Sequence, residues 1–177
     1  MRIKNNLVAL IVFFGLTSLA FAAGKDDTYA GANYAFMTYD EEGFGAYHAN
    51  VLIVKFGKYQ TDSFAIEGRI GSGMGSETKG GITVEIDSLI GFYALGYMSK
   101  GDVASTYGFF GLTKVDVSAS NNANGRSAED SDSSVSYGLG TNFNIDKSKS
   151  INLEVGSYYK KQQTNIYGVS LGFSVVY

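Results

Sequence analysis

Cysteine, proline and tryptophan are absent from the sequence, and histidine occurs once, as His48. Without cysteine there is no disulfide framework, no thiolate nucleophile and no zinc–thiolate site. A single histidine excludes most histidine-based metal clusters, and no residue pattern asks for a cofactor. Basic charge is also scarce. Fourteen Lys and Arg against 17 Asp and Glu give a formal charge of -3 and a pI near 5.1, so the basic footprint of a nucleic-acid binder is missing. What is plentiful is Gly (23), Tyr (13) and Phe (12), a composition that favours crowded β structure over a helical bundle. The length of 177 residues suits one domain.

The first residues read as an address. Met1-Arg2-Ile3-Lys4 gives a cationic start, Leu7 to Ala20 is apolar apart from Gly, Thr and Ser, and Ala20-Phe21-Ala22 offers a small-x-small cleavage pattern. Together they make a secretory signal peptide over 1–22. The apolar stretch falls short of the roughly 20 residues a membrane-spanning helix needs. Cleavage after Ala22 leaves a 23–177 domain, and loss of Arg2 and Lys4 takes its formal charge to -5.

Beyond Ala23 no apolar run is long enough for a membrane helix, and mean hydropathy is -0.01. Alternation with period two recurs instead, separated by polar or Gly-rich clusters. It predicts eight strands at about 29–39, 46–57, 64–72, 82–98, 104–117, 134–145, 151–159 and 166–177. The connections at 59–63, 99–102 and 146–150 are short. Those at 40–43, 72–81, 118–133 and 160–165 read as the longer set. Short turns at one end and longer loops at the other are the pattern of a transmembrane barrel, whose strands need only about 9–11 residues each.

The last strand carries the clearest signal. Tyr167, Val169, Leu171, Phe173, Val175 and Tyr177 share one face, while Gly168, Ser170, Gly172 and Ser174 lie on the other. A lipid-facing row must be apolar, and a narrow interior favours small residues. Here the chain resembles the small eight-stranded outer-membrane barrels, the family of the outer membrane protein A transmembrane domain, outer membrane protein X and the opacity proteins. Tyr107-Gly108-Phe109-Phe110-Gly111-Leu112-Thr113-Lys114 is similar to a mid-barrel strand of these proteins. The resemblance implies an all-β, eight-stranded antiparallel up-and-down barrel in the bacterial outer membrane, monomeric and surrounded by outer-membrane lipids. It also implies that Val169, Leu171, Phe173, Val175 and Tyr177 form the signal read by the barrel-assembly machinery. The lack of Trp leaves any interfacial girdle to Tyr and Phe.

Eight charged residues fall inside the expected strands: Lys55, Glu67, Arg69, Glu85, Asp87, Lys114, Asp116 and Glu154. Their sequence neighbours are mostly apolar, so alternation puts charges on one face and apolar groups on the other. A Lys or Arg facing lipid at the midplane costs about 2–4 kcal/mol. All eight are therefore expected to face the lumen with Tyr158 and Tyr93, with Lys55 open to the alternative of a rim position. A soluble, lipocalin-like barrel would bear more Lys and Glu along its strands.

The lumen set reads as a structural polar network, with a narrow, low-conductance channel as the alternative. Lipid-modifying barrel enzymes work with a His and Ser constellation, and Tyr47-His48-Ala49-Asn50 has no Ser two residues after the His. The chain is therefore expected not to be an enzyme. The opacity-like resemblance implies contact with a host or environmental surface ligand, here through the 118–133 loop. That loop is rich in Ser, Asn and acids but offers only Arg126 among the residues that dominate binding hot spots.

Overall fold

The computed structural model describes residues 24–43, 45–122, 125–161 and 163–177, so the expected signal peptide lies outside the described residues. The described chain is almost entirely strand: β1 (Thr28–Glu41), β2 (Gly45–Thr61), β3 (Phe64–Gly73), β4 (Ser76–Lys79), β5 (Ile82–Lys100), β6 (Ala104–Asn121), β7 (Arg126–Asn144), β8 (Lys149–Lys161) and β9 (Thr164–Val176). Every pairing is antiparallel. The sheet closes where β1 meets β9, from Tyr29 opposite Val176 to Glu41 opposite Thr164. β3 and β4 both pair with β5 and share one position in the ring, which makes an eight-position up-and-down barrel. Closure leaves no open edge in the body of the sheet, the condition for a sheet to exist in lipid.

Both ends of the described chain lie at one rim, the terminal rim. The hairpins after β1, β4, β6 and β8 lie at the opposite, far rim. The ladder between β2 and β3 runs only to Val51 opposite Gly73, with Met74 N–H donating to the Asn50 carbonyl at 2.8 Å. Beyond it, side chains bridge the seam. The His48 N–H donates to Glu77 Oε2 at 2.5 Å, and Lys79 Nζ donates to the Ala46 carbonyl at 2.5 Å. Gly80 and Gly81, with φ of 57° and 81°, give the β4–β5 hairpin the doubly left-handed turn that glycine tolerates.

The expected long loops are a point of correction. Most of 118–133 is strand: β6 continues to Asn121 and β7 starts at Arg126, in unbroken register from Ala104 opposite Phe143 to Asn121 opposite Arg126. Both faces of this extension are polar or small, so the alternation that marks a half-buried strand is lost. The backbone ladder continues without it because register is inherited from the apolar part of the hairpin.

The exterior carries a continuous apolar belt. Phe36, Phe56, Ile70, Ile90, Phe92, Phe110, Leu112, Leu139, Leu153, Val155, Val169 and Leu171 all stand exposed. Neighbouring strands keep them side by side, as with Phe92 opposite Leu112 and Val155 opposite Val169. Such a surface needs lipid around it. Inside, glycines make room for rings. A Cβ at Gly57 would meet the Tyr29 ring, and one at Gly140 the Tyr107 ring.

Candidate functional site

Lys55, Glu67, Arg69, Glu154, Tyr158 and Tyr93 all reach the lumen, each no more than 2% exposed. The rim alternative for Lys55 is thereby excluded. Arg69 on β3 is the hub. Its Nε donates to Glu67 Oε1 at 2.6 Å, and its Nη1 and Nη2 donate to the two oxygens of Glu154 at 2.7 and 3.1 Å. Lys55 Nζ reaches the same Glu154 at 3.2 Å. Tyr29 donates to Glu67 at 2.7 Å and Tyr107 to Glu154 at 2.6 Å. Two acids thus face two bases, and the bidentate guanidinium is the geometry in which a buried pair best offsets its desolvation. The guanidinium also lies 4.5 Å from the Tyr93 ring centre and 4.8 Å from that of Phe109.

Two neutral layers flank this network. Asn33 donates to Asn152 at 2.7 Å and to Ser170 at 2.9 Å, and Asn152 donates to Ser174 at 3.0 Å. Tyr93, Thr113 and Ser136 form a hydroxyl chain with 2.5 Å links that ends on the Tyr158 carbonyl. Toward the terminal rim, Tyr29, Tyr59, Tyr97 and Tyr107 stack with centroids 5.2–5.4 Å apart. The space left among them is about 20 Å³, room for roughly one water. Above the network an apolar layer that includes Met37, Val51, Ile53, Ile86, Leu89 and Tyr158 fills the lumen.

Four expected lumen residues do not belong to it. Glu85, Asp87, Lys114 and Asp116 are outside. In β5 the register slips between Ile86 and Ser88, so Asp87 is the extra residue of a bulge and reverses the parity of everything before it. Val84 and Ile86 face inward and Glu85 outward. In β6 the inward set is Tyr107, Phe109, Thr113 and Val115, which turns Lys114 and Asp116 out. The desolvation cost that was expected to drive them inward is relieved, because Lys114 stands at the edge of the apolar belt, opposite Ile90, and the other three beyond it in a polar collar. Lys114 pairs with Asp116 at 2.9 Å, Ser88 and Ser131 each donate to Asp116 at 2.5 Å, and Ser118 donates to Asp87. These donors hold the Asp116 carboxyl well below the usual range, Lys114 first.

Sequence reasoning missed Asn33 and Asn152, although the test that found Glu154 applies to them. Each is a polar residue between lipid-facing neighbours, Ala32 and Tyr34 or Ile151 and Leu153. Tyr29 and Tyr107 gave no such signal, since a tyrosine suits either face.

At the far rim the lumen opens into a cup of about 130 Å³, walled by Tyr39, Val115, Val117, Tyr159 and Ile166 and edged by Glu41, Asp130 and Asp132. Tyr39 donates to Glu41 at 2.7 Å and Tyr159 to Asp132 at 3.0 Å. Lys161 Nζ binds Asp132 at 2.7 Å, and this ammonium, with the Ser133 amide, lowers the Asp132 carboxyl to about 2. Burial and then the Asp132 hydrogen bond push the Tyr159 phenol up to about 12. Among the described residues no group of His, Asp and Glu is placed to hold a metal ion. His48 faces outward on β2, its Nδ1 3.3 Å from Thr38 Oγ1.

The chain matches the model of the outer membrane protein beta-barrel domain over residues 7–177. No curated protein matches it. Among solved structures it is similar to Ail, the attachment invasion locus protein of Yersinia pestis, at 17% identity and a TM-score of 0.67, over 86% of this chain and 99% of that one. The N-terminal β-barrel domain of Pseudomonas aeruginosa OprF gives 13% identity and a TM-score of 0.66, over 87% and 99%. Neisserial surface protein A gives 15% and 0.61, over 84% and 96%. At these identities the likeness speaks for the fold.

Proposed function

The chain belongs to the outer membrane protein beta-barrel domain family, and from that premise we propose that it is a plugged barrel whose role is structural and surface-interacting, with no pore and no catalysis. It lies in the bacterial outer membrane. The terminal rim faces the periplasm and the far rim faces outward: eight ring positions keep both ends on one side, and the extended β6–β7 hairpin at the other rim belongs to the longer, outer set. The observation that carries the reading is the neutral Arg69–Glu67–Glu154–Lys55 network. With ring and amide layers on either side, it fills an interior that eight strands leave just wide enough for side chains.

The distribution of charge supports a surface role. The terminal rim has five acidic and five basic residues, and the lumen two of each. The far rim holds ten acids, from Asp40 to Asp132, against five bases: Lys79, Lys114, Arg126, Lys160 and Lys161. The whole net charge of the barrel is displayed on one end. Ail has been solved in complex with the heparin analogue sucrose octasulfate. An acidic rim repels such a polyanion, so the ligand of this chain is of a different kind, and the extended β6–β7 hairpin is the surface that meets it.

Two measurements test the reading. An epitope inserted after Gly125 is detected on intact cells, and purified protein in planar bilayers shows at most rare, small openings. Detection only after permeabilisation reverses the orientation. Large, steady conductance replaces the plug with a channel.

A further inference from the structure

The far-rim cup has a chemistry that neither the plug nor the collar uses. Its floor and walls are apolar and aromatic: Ile166 and Val115 are at most 3% exposed, and the Tyr39 and Tyr159 rings stand at the sides. Its volume of about 130 Å³ is roughly ten times what one water requires. The carboxylates at its edge are not equivalent. Asp132 is neutralised by Lys161. Glu41 and Asp130 have no cationic partner among the described residues: Glu41 accepts the Tyr39 hydroxyl and Asp130 the Ser131 amide.

We infer that this cup is a binding site for a small organic amine, a primary ammonium on a single-ring or short apolar body. The apolar part packs against Val115, Ile166 and the tyrosine rings, where its burial is favourable. The ammonium lies between Glu41 and Asp130, where a charge-assisted hydrogen bond forms in a half-desolvated setting. A bare metal ion would gain nothing from the apolar walls, and an anion would meet two unneutralised carboxylates. The acidic rim raises the local concentration of cations at the cup. Below the floor the apolar layer and the ion network close the lumen, so the ligand is held and not passed on.

This site deepens the surface-interaction reading, and rests on it only for the side from which the ligand arrives. The test uses the purified protein in lipid nanodiscs with three isosteric probes: 2-phenylethylamine, 2-phenylethanol and phenylacetate. Calorimetry is expected to rank the amine at least about tenfold above the alcohol, with phenylacetate showing no binding. The Glu41→Gln/Asp130→Asn double variant brings the amine down to the level of the alcohol and leaves the alcohol unchanged. Glu85→Gln, on the outer face of the same rim, alters nothing. Equal affinity for all three probes, no amine binding to the wild type, or a folded double variant that keeps its preference for the amine overturns the assignment. If the double variant does not fold, the ranking of the three probes on the wild type decides alone. Because nanodisc binding is independent of orientation and conductance, a failure here is distinguishable from a failure of the plug or of the topology.

Discussion

Replacing Arg69 with Ala removes the hub that joins β3 to β8 across the lumen. Glu67 and Glu154 remain, both about 1% exposed; among the described residues Lys55 is then their one cation and the Tyr29 and Tyr107 hydroxyls their other side-chain donors. One carboxylate charge is left uncompensated. Breaking a buried pair in this one-sided way costs about 3–5 kcal/mol. The guanidinium also leaves a gap between the Tyr93 and Phe109 rings. Lys147→Ala, in an exposed turn of the terminal rim, should stay within about 0.5 kcal/mol of wild type. The comparison is made by urea unfolding in lipid vesicles, following far-UV circular dichroism and the heat-modifiable electrophoretic band. Adding Glu67→Gln to Arg69→Ala leaves Glu154 and Lys55 as a neutral pair, so the double variant should recover at least about 1 kcal/mol relative to additivity. Bilayer recordings of Arg69→Ala should show more frequent openings than wild type. Equal stability of the Arg69 and Lys147 variants, or strict additivity with Glu67→Gln, would refute the buried-network account.

Gly140→Ala places a Cβ against the Tyr107 ring and should cost about 1–3 kcal/mol by overpacking, with loss of the Tyr107–Glu154 hydrogen bond. Gly96→Ala, where a Cβ meets nothing within 4 Å, is the matched control, and urea midpoints that coincide would contradict the ring-over-glycine packing. Leu171→Arg, in the apolar belt opposite Tyr34 and Leu153, should cost about 2–4 kcal/mol and lower the folded fraction in vesicles; a wild-type fraction would mean that Leu171 does not face lipid. In the β7–β8 turn, Asp146 accepts the Ser148 and Lys149 amides at 2.8 Å each, and its carboxyl is lowered to about 2, chiefly by Ser148. Because the folded value lies below the unfolded one, the turn is stabilised above about pH 4 and loses that stabilisation as pH falls through about 2. The Ser148 and Lys149 amide resonances should therefore shift with a midpoint near 2, and a midpoint near 4 would show that the turn does not bind the ionised form.

Much of the barrel was legible because lipid imposes a strict rule on one face of each strand. The β9 row from Tyr167 to Val175 and the flanks of Glu154, Glu67 and Arg69 obey it without interruption, so their facing followed from parity alone. Legibility ended where the belt ends. Past Val117 on β6 and before Ser134 on β7 both faces are polar or small, and nothing in the residue pattern separates strand from loop. The β6–β7 extension past Val117 therefore read as a loop, although its ladder is complete.

The misplaced charges have a second cause, and it also accounts for the cup. Parity counting assumes that no residue is skipped. β5 skips one at Asp87, and β8 skips one between Ser157 and Tyr159. The β5 slip turns Val84 and Ile86 inward and sends Glu85 out to the collar. The β8 slip sets two successive tyrosines, Tyr158 and Tyr159, toward the interior. Each exchange removes polarity from the upper lumen and adds an apolar or aromatic wall. A strictly alternating β5 would have brought Glu85 and Asp87 into the barrel, where two further acids would have had no buried base to meet. The bulges reconcile a neutral plug in the membrane with an acidic rim outside it, since the same strands then carry their surplus carboxylates where water can solvate them.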